Sequence, residues 1–247
     1  MRRLALVAAL FVLCTACKLS IAVGVDVHAD GSGVVQATVT FDKEAAERLR
    51  RTGGRLEASD LRAAGWTVTG PTALKDGGAK LVATKPFRTP AELPKVIDEV
   101  AGPRRPLRDF KLVRDRSFAR TRTEFTGVVD LTAGVDAFGD DRLKEQTGAD
   151  VGVDAKELER QAGVALNRFF SVQVAVRLPG TVNSNAPSRP GNGAVWAPKL
   201  GERAALAAAG ADVDERRIAL LVIAGVAGVA LVVVLVRRRQ RARTQEG

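Results

Sequence analysis

The sequence has no tyrosine, one histidine (His28) and two cysteines, Cys14 and Cys17. Each scarcity closes a class of chemistry. With both cysteines in the first 17 residues, the rest of the chain has no pair for an internal disulfide, and its stability must come from a hydrophobic core. Metal sites built from His and Cys are excluded by count. A serine or cysteine triad would have to use His28, and no G-x-S-x-G elbow occurs. Asp136, Asp140 and Asp141 are close in sequence, but DAFGDD lacks the alternating oxygen-ligand spacing of a calcium loop. The glycines of GGRL and DGGAK precede no phosphate-binding helix with Lys-Ser/Thr and read as turns. No catalytic residue, metal or cofactor is expected.

Against these absences stands one long apolar run. Ile218 to Val236, IALLVIAGVAGVALVVVLV, is 19 residues with no charge, no amide side chain and no proline. As a helix it would span about 30 Å, the hydrocarbon thickness of a bilayer. A buried helix of this length would keep a polar face, and this run has none. Arg237, Arg238, Arg239, Arg241 and Arg243 follow at once, a pattern that favours the cytoplasmic side. The sequence thus predicts a single membrane span at 218–236, a basic cytoplasmic tail at 237–247, and everything earlier outside the membrane.

The N-terminus carries a second membrane signal. Arg2 and Arg3 precede an apolar core from Leu4 to Leu13, too short to span, so 1–16 reads as a signal peptide. Its end, Leu13-Cys14-Thr15-Ala16-Cys17, resembles the lipobox of bacterial lipoproteins. There the cysteine thiol is joined to diacylglycerol, with acyl chains such as palmitate, and becomes the new N-terminus. Thr15 and Ala16 fit, whereas Cys14 stands where leucine is usual. Cys17 is the candidate lipidation site. The alternatives are ordinary cleavage after Ala16 or an uncleaved anchor, with Cys17 a free thiol.

The net charge of +10 is unevenly placed. Arg2 and Arg3 at one end, and five arginines against Glu246 at the other, leave 31 basic and 27 acidic residues between them. That mixed surface is an ordinary solvated face, at most mildly attracted to anionic headgroups or glycans. Arginines interleave with Phe118 and Phe125 in ARTRTEF, but a domain outside the cell is not expected to bind nucleic acid.

Between the two ends, period-two alternation and turn residues alternate with capped helical stretches. Ile21 to Val27 and Val35 to Phe41 predict a hairpin around Ala29-Asp30-Gly31-Ser32-Gly33. Asp42 caps a helix over 43–52, and Ser59 a short one ending at Gly65. Trp66–Thr69 and Lys80–Phe87 are strands about an Asp76-Gly77-Gly78 turn. Thr89, Pro90 and Glu92 open a helix as a capping box, with Pro94 disturbing its first turn. Leu107–Val113 and Phe118–Leu131 read as strands, the second of uncertain register. Helices are expected at 141–147 and from Asp154 to Phe169. Ser171–Leu178 is a strand, PGTVNSNAPSRPGNG a loop, Ala194–Trp196 a short strand and Gly201–Leu206 the last one. The expected fold is α+β, a mostly antiparallel sheet with packed helices at 17–206, joined by a juxtamembrane linker at 207–217 to one C-terminal transmembrane helix.

Several stretches resemble the LppM-type domain of actinobacterial envelope lipoproteins: LCTAC, LRAAGWTVTG followed by a strand ending at KPF, RLPG at 177–180, and GNGAVWAPKLGE at 191–202. The resemblance covers nearly the whole chain and is weakest from about Gly134 to Gly163. It implies a single-pass envelope lipoprotein of the cell membrane, anchored at both ends. It also implies a fold similar to those in which a curved sheet and helices enclose an apolar cavity for envelope lipid or glycolipid. It brings no catalytic residue. Arg104, Arg105 and Arg177 are the candidate headgroup contacts. A scaffold that meets other envelope proteins is the rival reading; it requires a filled core and an exposed apolar patch, whereas an enzyme would require a polar cleft with a perturbed titratable group.

One outcome follows from the N-terminus alone. The mature protein should carry the mass of a diacylglyceryl group on Cys17, and Cys17→Ser should lose that mass while still being exported. An unmodified N-terminal Cys17 in the wild type would eliminate the lipid anchor.

Overall fold

A computed structural model describes residues 18–51, 59–102, 104–134, 137 and 169–243. The expected helices at 141–147 and from Asp154, the signal peptide and Cys17 lie outside the described residues.

The first hairpin forms as its alternation requires. In β1 (Leu19–Val27), Val23, Val25 and Val27 are buried while their neighbours are half-exposed. β2 (Gly33–Phe41) returns in continuous register, Leu19 opposite Phe41 and Val27 opposite Gly33. Asp42 caps α1 (Lys43–Arg51): its Oδ1 accepts the Ala45 N–H at 2.9 Å. α2 (Ser59–Ala63) ends at Gly65 and leads to the hairpin of β3 (Thr67–Ala73) and β4 (Ala79–Phe87).

The next helix departs from its predicted start. Pro90–Glu92 form a 3-10 turn, and α3 begins at Leu93 and runs to Ala101. Glu92 does not close a box on Thr89. Its carboxylate accepts the Arg88 N–H (2.9 Å) and the Thr89 hydroxyl (3.1 Å), which holds it below the usual carboxylate pKa. Pro94 falls in the first turn of α3, where its missing N–H leaves no helical bond unmade.

β5 (Leu107–Arg116), β6 (Arg120–Asp130), β7 (Phe170–Arg177), β8 (Thr181–Ser184), β9 (Gly193–Trp196) and β10 (Arg203–Val213) complete the strands. They form two sheets, β3-β4-β2-β1-β7-β9 and β5-β6-β10-β8. All pairs are antiparallel except β1 and β7, so the fold is α+β, but with two sheets, the larger of them mixed. The register of β6 is settled by burial: Thr123, Phe125 and Val129 face inward, and Phe118 lies outside the strand in the exposed turn before it.

The smaller sheet meets the larger one at β9, where β8 and Phe125 of β6 approach it. α3 lies beside β5, against β2 and β4, and buries Leu93, Val96, Ile97 and Ala101. Between the sheets Phe125 meets Phe110 edge-on (centroids 5.7 Å apart) and stacks on Trp196 (6.2 Å).

Two further expectations are corrected. The Pro/Gly/Asn-rich loop contains a strand, β8, which pairs with β10. Its turn passes so near β10 that a Cβ on Gly180 (φ +77°) would lie 2.0 Å from the Ala211 carbonyl oxygen, and only glycine fits. The linker expected at 207–217 is mostly strand, because β10 pairs with β6 without a break up to Val213 opposite Arg120. A single residue, Asp214, then precedes α4 (Glu215–Arg243). Within α4, Glu215–Val233 is long and apolar enough to cross a membrane, and none of that stretch is buried against the domain.

A polar tie fixes α3 to the larger sheet. Glu99 Oε2 accepts the Trp66 indole N–H (2.8 Å) and the Lys85 ammonium (2.6 Å), which also reaches the Ala64 carbonyl (2.6 Å). Burial raises the Glu99 pKa, but the hydrogen bonds from Lys85 and Trp66 and the charge of Lys85 together outweigh it and hold the carboxyl below its ordinary 4.5. A depressed carboxylate contributes stability that is complete above the unfolded pKa and is lost as pH falls through the lower folded value. Glu99→Gln should therefore cost roughly 1–3 kcal/mol at pH 7, and below about pH 4.5 its melting temperature should fall less steeply than that of the wild type. Thermal melts across that range check this; parallel acid limbs would show that Glu99 contributes nothing.

Candidate functional site

The junction between domain and helix is the most strongly built polar site among the described residues. β10 delivers Asp214 beside the β5–β6 turn, where the Asp214 N–H donates to the Ala119 carbonyl (2.9 Å). Asp214 then starts the helix: its Oδ1 accepts the Arg217 N–H (3.2 Å), and its carbonyl accepts the N–H of Arg217 (3.1 Å) and Ile218 (3.2 Å). The Arg217 side chain closes the clamp, with Nε 3.0 Å from Asp214 Oδ2 and Nη1 donating to the Phe118 carbonyl at 2.9 Å. The same end meets the first hairpin, where Arg114 Nη2 donates to the Ala29 carbonyl at 2.8 Å. These contacts bound an open cleft of about 580 Å³ between the β1–β2 turn, the β5–β6 turn and the start of α4.

His28 and Asp30 lie at this end, but not as a nucleophile relay. The Ser32 hydroxyl donates to Asp30 Oδ1 (2.6 Å), so its proton is already committed to a carboxylate, and His28 Nδ1 lies 3.1 Å from Ser32 Oγ. Serine sits between histidine and aspartate, whereas activation needs the histidine in the middle. The Ser32 hydroxyl and N–H hold Asp30 below the usual carboxylate range. No group of three or more His, Cys, Asp or Glu side chains suited to a metal occurs among the described residues.

The three arginines expected to hold a headgroup are not brought together. Arg105 Nη2 pairs with both carboxylate oxygens of Asp98 on α3 (2.8 and 3.0 Å). Arg104 is its neighbour in the turn before β5. Arg177 ends β7, where its Nη1 lies 2.9 Å from Asp26 Oδ2. It lines an open groove of about 340 Å³ on the outer face of the larger sheet, with Gly24, Gln36, Ala175 and Val195. The arginines at the junction were visible in the sequence as RDRSFAR and DERR, but only the return of β10 to β6 brings those two stretches side by side.

No family model matches this chain, and no curated protein matches it. Among solved structures it is similar to the folded domain of LppM from Mycobacterium tuberculosis, determined by NMR. The two share 16% identity with a TM-score of 0.45, over 81% of this chain and 93% of that one. This is a distant likeness to the same family that the sequence stretches resemble, and it does not make the chain a member.

Arg105 and Arg177 form solvent-exposed pairs, which contribute little to stability. Arg105→Ala and Arg177→Ala should each shift the unfolding free energy by less than about 1 kcal/mol. Chemical denaturation of the two variants checks this, and a larger loss would show a structural role for the pair.

Proposed function

We propose that this chain is a membrane-tethered module of the cell envelope whose extracytoplasmic domain binds envelope lipid or glycolipid without chemically changing it. The observation that carries the reading is the one-residue junction. With Asp214 clamped to the β5–β6 turn, the domain cannot swing far from the start of α4. The side chains of α4 from Ile218 to Val233 are exposed and apolar, which supports a lipid environment for them. Five arginines after Val236 support a cytoplasmic C-terminus.

The N-terminal anchor adds an orientation. Cys17 precedes the start of β1, whereas the β1–β2 turn touches Arg114 at the junction. The nine residues of β1 put these ends roughly 26 Å apart. A lipid on Cys17, with almost no tether, would lay β1 along the bilayer rather than let the domain stand on its helix. The lipid would then be met at the domain surface. The rings of Phe110, Phe125 and Trp196 pack together between the sheets.

Those packed rings also fit the rival reading, a scaffold that meets another envelope protein. Its face would be the outer side of the smaller sheet, where Ala205, Ala207, Ala209 and Ala211 run along β10. Native mass spectrometry of the full chain, extracted from membranes in mild detergent, separates the two. Retained lipid is expected. A chain that emerges free of lipid, and binds none when membrane lipid is added back, would overturn the lipid reading in favour of the scaffold.

A further inference from the structure

We propose that the junction cleft is a binding site for the phosphate of an anionic phospholipid in the leaflet next to the domain; this rests on the membrane-tethered reading above and gives it a site and a ligand class. The placement comes first. The cleft is lined by Arg216 and Arg217, and the apolar run begins at the next residue, Ile218. In a spanning α4 the cleft therefore lies at the depth of the headgroups, a layer about 5–8 Å thick on each side of the hydrocarbon. Phe118, 59% exposed at the tip of the β5–β6 turn, and the exposed Val213 give its rim an apolar edge suited to the interface.

Charge supplies the second part. The acids nearest the clamp are already engaged, Asp214 by Arg217 and Asp30 by Ser32. Arg116, Arg120 and Arg216 line the cleft, and their side chains form no hydrogen bond or ion pair with another described residue. With Arg114 and Arg217 they set five arginines against Asp30, Asp212, Asp214 and Glu215, a net charge of +1 in the lining of the cleft. A phosphate oxygen accepts charge-assisted hydrogen bonds from guanidinium groups such as those of the exposed Arg116, Arg120 and Arg216. The apolar helix beside the site selects a lipid over a soluble phosphate, because the acyl chains can stay in the bilayer.

The test uses the full chain in detergent, titrated with phosphatidylglycerol or phosphatidylcholine and followed by native mass spectrometry. Arg116→Gln with Arg216→Gln removes two charges from the cleft. Arg62→Gln with Arg189→Gln removes two exposed charges elsewhere and serves as the matched control. In neither pair does a side chain make an internal bond among the described residues, so both variants should melt like the wild type. Phosphatidylglycerol should bind more tightly than phosphatidylcholine. The cleft variant should lose affinity for it by at least about 10-fold, and the control by less than about 2-fold. Millimolar inorganic phosphate should not displace the lipid. Equal losses in both variants would reduce the effect to unspecific attraction, and displacement by phosphate would make this a site for the free ion; either result overturns the proposal. Undiminished binding in the cleft variant overturns the site while leaving the lipid-binding reading intact. A wild type that binds neither lipid overturns both.

Discussion

Phe125 is the side chain on which the arrangement of this domain depends. It is fully buried on β6, with Phe110 against its edge and Trp196 against its face. It thereby joins a strand of each sheet across the interior, and each such pair contributes about 0.5–1.5 kcal/mol beyond its burial. Trp196 passes the constraint on. Its indole N–H donates to Asn185 Oδ1 (2.9 Å), which also accepts the Ala207 N–H (3.0 Å), while Asn185 Nδ2 donates to the Ala205 carbonyl (2.8 Å). One amide thus ties β9 to β10 at the closed edge of the sandwich. Because β10 is paired with β6 along its whole length, fixing β6 and Asn185 also fixes where α4 begins.

How much of this was legible depends on what each side chain can signal. The first hairpin declared itself, since Ile21, Val23, Val25 and Val27 on one face and polar or small residues on the other suit a half-buried strand alone. β10 did not. Its outward positions are mostly alanine, and an alanine-rich stretch beside a membrane span reads equally well as a linker or a helix. β8 is four residues long and lies among prolines, glycines and asparagines, so its strand character comes only from pairing with β10. The parallel pairing of β1 with β7 joins residues about 150 positions apart, and no local pattern encodes it.

The residues of the junction are legible in the sequence, but their assembly is not. Arg105 and Arg177 have carboxylates within hydrogen-bonding distance, which neutralise them locally. The arginines around the junction lie about 100 positions apart along the chain and meet only because β10 returns antiparallel to β6. An ARTRTEF stretch considered alone raises nucleic acid as a partner. The same stretch, placed one residue from an apolar helix, points to a membrane instead.

On the proposed reading, a lipid-binding module tied to its own membrane helix has no need of an enclosed cavity. A protein that extracts a lipid from the bilayer must provide a dry interior for its chains, at about 0.8 kcal/mol per methylene. A domain clamped to its own membrane helix by Asp214 and Arg217 meets lipids whose chains are already buried, so the chains contribute nothing to discrimination. Selectivity must then come from the headgroup, through charge and hydrogen-bond geometry at a fixed depth. A short, rigid junction sets that depth in a way that a flexible linker could not, because the position of a guanidinium relative to a phosphate layer only a few ångströms thick decides whether it pairs or remains in water. Through the unbroken pairing of β10 with β6, the buried Phe125 then bears on where α4 begins, and so on the position of the arginines beside it.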